Sequence, residues 1–154
     1  MQGRFFRPYS PAPLLPCYNP EMLNETQLAH SRVAILGLGL MGGSLALALR
    51  GRVAHLLAVE RHVITRQTAL RQGVVDEAVE ELAAAPPVDL LVLAAPVRVI
   101  LDTLGRLPAL RPSGCAVVDL GSTKRAVVAA MSALPPPFAA VGGLSLIHIS
   151  EPTR

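Results

Sequence analysis

The feature that most constrains this chain is the run Gly37-Leu38-Gly39-Leu40-Met41-Gly42, because it sits where one hydrophobic periodicity gives way to another. Before it, Val33 to Leu36 is an unbroken apolar run, the pattern of a strand buried on both faces. After it, the residues from about Gly42 to Arg50 read as a helix. A strand that turns directly into a helix needs one glycine for the tight turn and one where the backbone approaches a ligand. A third is needed where helix and strand touch. The helix start then offers free N–H groups to an anion. This is the pattern of a dinucleotide pyrophosphate site, and Gly37, Leu38, Gly39, Leu40, Met41 and Gly42 are its candidate residues. A purely structural strand-to-helix turn is the alternative.

Downstream, short Val-, Ile- and Leu-rich runs alternate with helical stretches. Strands are predicted over His55 to Val59, weakly over Val74 to Val79, and over Leu90 to Ala94, Ala116 to Asp119 and Phe138 to Val141. Helices are predicted over Arg61 to Gln72, with Gly73 as a left-handed cap, and briefly over Glu80 to Ala85 before Pro86 and Pro87. Two more are predicted, from Pro96 to about Arg106 and from Lys124 to Leu134. The alternation predicts an α/β fold, a Rossmann-type doubly wound parallel sheet, over residues 31–143. Residues 1–30, interrupted by Pro8, Pro11, Pro13 and Pro16, read as a disordered tail or as translation upstream of the true start.

Composition narrows the partners. A chain of 154 residues with 51% hydrophobic and 16% charged residues buries a core and is not intrinsically disordered. With 3% aromatics and no Trp, that core is built from Ala, Val and Leu, and no base-stacking platform is available. The net charge of +3 comes from scattered arginines, Lys124 being the only lysine, so no nucleic-acid partner is expected. The apolar stretch Val33 to Leu49 is broken by glycines and falls short of a span, so no membrane segment is expected. Cys17 and Cys115 form no disulfide framework, and no Cys/His spacing suits a metal, so a reducing, cytoplasmic setting is expected.

Glu60 closes the second predicted strand, near the spacing of roughly 20 residues at which an acidic side chain accepts hydrogen bonds from an adenosine ribose. It favours NAD. Arg61 beside it leaves NADP possible, because a guanidinium there would pair with a 2′-phosphate. A solvated pair at a helix start is the plainer alternative. Asp119-Leu120-Gly121-Ser122-Thr123-Lys124 lies at the C-terminal end of a strand beside the expected switch point, where open α/β sheets bind ligands. Ser122 is placed to reach a nicotinamide or a substrate hydroxyl and Lys124 to attract a carboxylate; an N-cap and a solvated first-turn residue are the alternatives. Ala95 and Pro96 put small side chains where a cofactor backbone would pass, or simply start a helix.

Together, Val33 to Ser44, Asp89 to Val97 and Asp119 to Lys124 resemble the nucleotide-binding half of prephenate dehydrogenase and its close relative arogenate dehydrogenase. The resemblance covers Arg32 to Gly143. It implies NAD(P)-dependent oxidative decarboxylation in tyrosine biosynthesis, a small-molecule substrate, and a homodimer formed through a helical second domain. It also implies that Ser122 assists a histidine that polarises the reacting hydroxyl. That histidine belongs to a Gly-Gly-His-Pro run, whereas here Gly142-Gly143 is followed by Leu144. Residues 144–154 look like translated sequencing-adapter sequence, so they are read as a non-native tail and His148 is not taken for the missing histidine. The expectation is an N-terminal fragment, inactive alone. A β-hydroxyacid-type dehydrogenase domain and a non-catalytic dinucleotide-sensing module are the alternatives.

Overall fold

The computed structural model describes residues 25–121 and 124–142. A short helix α1 (Glu25–His30) leads into β1 (Arg32–Leu36), α2 (Leu40–Leu49), β2 (His55–Val59), α3 (Val63–Arg71) and β3 (Glu77–Val79). A single 3₁₀ turn, Leu82–Ala84, precedes β4 (Leu90–Leu93), α4 (Val97–Leu110), β5 (Ala116–Asp119), α5 (Lys124–Ser132) and β6 (Ala139–Gly142). The six strands form one sheet in the order β3-β2-β1-β4-β5-β6, and every pairing is parallel. This is the predicted doubly wound arrangement. Its strand order reverses between β1 and β4, where their C-terminal ends diverge into a crevice.

Both faces of the sheet are covered, and the alternation of side chains along each strand divides the core in two. Val33 and Ile35 of β1, Leu56 and Ala58 of β2 and Val92 of β4 pack with Ala46 of α2 and Ala69 of α3. Ala34, Leu36, Leu57, Leu91, Leu93 and Val117 face the other way, against Ile100, Leu104 and Leu107 of α4 and Val127 and Met131 of α5. The small residues on α2 have a packing purpose. Gly42 and Ala46, one turn apart, are its buried residues and let it lie close against the sheet.

Several boundaries shift for identifiable reasons. The last six residues of the stretch read as a tail form α1, and Leu28 packs on the core, while residues 1–24 lie outside the described residues. Helix α2 starts at Leu40, because Gly43 N–H already bonds Gly39 C=O at 2.8 Å. The predicted strand from Val74 shortens to β3 because α3 ends in a Schellman motif. Gly73, at φ +60°, donates to Leu70 C=O, and Val74 donates to Ala69 C=O. Helix α4 runs past Arg106 to Leu110 despite Pro108. Its buried stripe of Ile100, Thr103, Leu104 and Leu107 outweighs the roughly 3 kcal/mol that an interior proline costs. Among the described residues no helix is long and apolar enough to cross a membrane, and no group of three or more His, Cys, Asp or Glu is placed to hold a metal ion.

Candidate functional site

The three glycines of the turn meet three different surroundings. Gly37 has φ +91°, and a Cβ there would stand 2.8 Å from Ala94 O and 3.3 Å from Ala95 Cα. It is therefore fixed both by its own dihedral and by the chain leaving β4. Its N–H donates to Val59 C=O at 2.9 Å, which ties the turn to the end of β2. Gly42 faces inward, where a Cβ would run into the carbonyl of Gly37 and lie 3.1 Å from Ala94 Cβ. Gly39 differs from both: no atom lies within 4 Å of a Cβ built there. It is the N-cap of α2, with no side-chain cap and no acidic residue in the first turn. The helix start thus keeps its N–H groups and its positive dipole end uncompensated, beside open space that fits an anion.

Glu60 is half-buried at the end of β2, and four segments hold it. Its Oε2 accepts from Leu38 N–H at 2.9 Å and its Oε1 from His62 N–H at 2.9 Å. Its own N–H donates to Val79 C=O of β3 at 2.9 Å, and its carbonyl accepts from Arg66 Nη1 at 2.6 Å. A carboxylate has about four acceptor positions, so two remain for a ligand. Glu60 is thereby connected to the glycine turn, which goes beyond the solvated pair considered from sequence.

A cleft of about 170 Å³ opens at the C-terminal edge between these elements. Gly37, Glu60, Arg61, Ala95 and Pro96 all line it, so the structure brings these sequence candidates to one place. Pro96 is the N-cap of α4, and its carbonyl accepts from Val99 and Ile100. Leu38 faces the neighbouring groove between α2 and α3, while Leu40 is 88% exposed on the first turn of α2 and Met41 is partly exposed beside it. Several cleft residues escaped sequence reasoning. Glu80 and Glu81 follow β3, Leu82 belongs to the 3₁₀ turn, and Asp102, Thr103 and Arg106 lie on one side of α4. Glu80 and Glu81 carried a usable signal, since they follow a strand at the sheet's ligand-binding edge.

At the end of β5, Asp119 is fully buried, and its Oδ1 accepts from Gly121 N–H at 2.7 Å. It shapes the turn that leads toward α5. Ser122 and Thr123 lie outside the described residues, as does the side chain of Lys124, whose backbone opens α5.

Residues 45–145 match the family profile described as the prephenate dehydrogenase nucleotide-binding domain. The chain belongs to that family. It is 32% identical over 102 residues to the prephenate dehydrogenase of Lactococcus lactis subsp. cremoris (strain MG1363), which is 63% of this chain and 28% of that protein. It superposes on the crystal structure of Synechocystis arogenate dehydrogenase with a TM-score of 0.63 and 34% identity, over 71% of this chain and 39% of that one. The crystal structure of A. aeolicus prephenate dehydrogenase in complex with hydroxyphenyl propionate and NAD+ gives a TM-score of 0.65 and 27% identity, over 73% and 41%. The domain therefore spans less than half the length of these relatives.

Proposed function

We propose that this chain is the nucleotide-binding half of an NAD-dependent prephenate or arogenate dehydrogenase. The observation that carries the reading is that Glu60 lines the cleft while its carboxylate is bonded to the turn whose second glycine faces open space. Residues Gly37 to Gly42 would hold the pyrophosphate, Glu60 the adenosine ribose, and Arg61, Ala95 and Pro96 would border it. Bound there, NAD supplies the hydride acceptor for oxidative decarboxylation of a cyclic hydroxy acid. NADP is the second choice, because Glu60 lies where a 2′-phosphate would have to sit.

On this reading Ser122 positions the reacting hydroxyl and Lys124 attracts a substrate carboxylate. The rest of the substrate site, and the contacts of a homodimer, would come from a further domain. The expected setting is the cytoplasm, with no nucleic-acid or membrane partner. The described domain would supply one wall of the reaction site, and holding the substrate in reactive geometry against it would fall to the remainder. Calorimetric titration of NAD+ into the wild-type chain and the Glu60→Ala variant tests the site. Affinity is expected to fall about tenfold in the variant through loss of charge-assisted ribose hydrogen bonds. Equal affinity removes Glu60 from the site.

A further inference from the structure

We propose that Arg66, a residue to which the sequence pattern assigns no role, is a positioning residue that holds Glu60 for ribose recognition and so sets the preference for a dinucleotide without a 2′-phosphate. The proposal rests on the reading of the cleft given above. Arg66 projects from the first turns of α3 and makes three contacts at once. Nη1 donates to the carbonyls of Glu60 at 2.6 Å and Arg61 at 2.7 Å, and Nη2 donates to Glu80 Oε2 at 3.1 Å. Its side chain is only 16% exposed, whereas that of Glu80 is 65% exposed. The guanidinium is thus the inner member of the pair and joins the loop after β2 to the loop after β3.

Of the four bonds that locate Glu60, three have backbone partners: Leu38 N–H, His62 N–H and Val79 C=O. The fourth comes from Arg66, so it is the one strut that a substitution can delete. A planar guanidinium suits the task, because its fixed fork reaches two adjacent carbonyls and a carboxylate without rearrangement. The same engagement has a second effect. Arg66 is committed to Glu80 and two carbonyls and is not presented as a phosphate receptor, while Glu60 meets any 2′-phosphate with a like charge. Loosening the loop would let Glu60 swing away, and the ribose hydrogen bonds and the repulsion of a 2′-phosphate would weaken together. A residue with a merely structural role would weaken both dinucleotides alike.

The test titrates NAD+ and NADP+ separately into the full chain as wild type, R66M and R66K, with the thermal midpoint of each unliganded protein measured alongside. In R66M, NAD+ binding is expected to weaken about three- to tenfold, the range for losing preorganisation of one loop, while NADP+ binding holds or tightens. R66K, with one point charge in place of a fork, is expected to fall between. A folded R66M in which both dinucleotides weaken by the same factor, or neither changes, overturns the proposal. If R66M shows no cooperative melting transition, R66K decides by the same criterion, and a wild-type ratio of affinities in it overturns the proposal. Failure of the wild-type chain to bind NAD+ overturns the reading of the cleft itself, and that failure is recognised before any Arg66 variant is measured.

Discussion

Alanine at Gly39 and alanine at Gly42 should separate the binding role of the glycine turn from its packing role. At Gly42 the added methyl runs into the backbone carbonyl of Gly37 and presses on the Ala94 side chain, where the chain leaving β1 meets the chain leaving β4. Overpacking of this kind costs about 1–3 kcal/mol, and the better helix propensity of alanine returns about 0.5–1 kcal/mol. A net loss of about 1 kcal/mol lowers Tm by roughly 4 °C in a domain of this size. At Gly39 the backbone is extended, with φ −65° and ψ −166°, and the methyl meets no protein atom. Loss of a glycine N-cap there changes stability by less than about 1 kcal/mol. The methyl instead occupies the space where a pyrophosphate would approach the helix start. Losing one charge-assisted hydrogen bond of about 1.5–3 kcal/mol weakens NAD+ binding about 10- to 150-fold. Scanning calorimetry of the free proteins and isothermal titration with NAD+ read the two effects separately. Unchanged NAD+ affinity in Gly39→Ala, or an undiminished Tm in Gly42→Ala, would refute the division of roles.

Three further outcomes are expected. Arg111 is buried and donates to the carbonyls of Leu82, Ala85 and Leu110 while its Nε has no partner, so Arg111→Met removes three charge-assisted hydrogen bonds at once. Urea unfolding should show a loss of about 3 kcal/mol, and a loss below about 0.5 kcal/mol would contradict the account. Burial raises the pKa of the Cys115 thiol and Asp89 adds to the rise, while Arg111 opposes it. In a Cys17→Ser background, labelling of Cys115 by a thiol reagent at mildly alkaline pH should therefore be slow in the native protein and fast in denaturant. The neutral thiol's contribution to stability is full below the unfolded pKa and is lost as pH rises toward the folded one, so rapid native labelling would count against it. Finally, the chain should form no NADH from prephenate or arogenate above a no-enzyme control, since one wall of a site does not hold a substrate for transfer. Turnover that vanishes in Ser122→Ala would show the wall to be sufficient.

The parallel sheet was legible because each of its inner strands is a short apolar run bounded by turn residues. His55–Val59 and Ala116–Asp119 have the expected bounds. Gly73 was legible for the same kind of reason, since a left-handed cap leaves a glycine just past a helical pattern. The length of α4 was not, because Pro108 is a local signal and the buried stripe that overrides it depends on what α4 packs against. The site divides in the same way. Gly37, Glu60, Ala95 and Pro96 announce themselves by position relative to strand ends. Thr103 reaches the cleft, and Arg66 reaches Glu60 and Glu80, only because β3, α3 and α4 converge there, and nothing in the sequence around these two distinguishes them from surface residues.

The crowding of Gly37 against Ala94 and Ala95 has a consequence for how binding competence arises during folding. The turn follows β1, but its shape is completed by the chain leaving β4, which pairs with β1 from Val33↔Leu90 to Leu36↔Leu93. Two complete β-α passages separate those strands in the chain, so this pairing closes a long loop and is entropically slow to form. The first β-α-β unit, although it contains the whole glycine run and Glu60, should acquire the pocket only when β4 docks. Ligand affinity in a refolding experiment would then report the arrival of one particular strand, later than the helical signal.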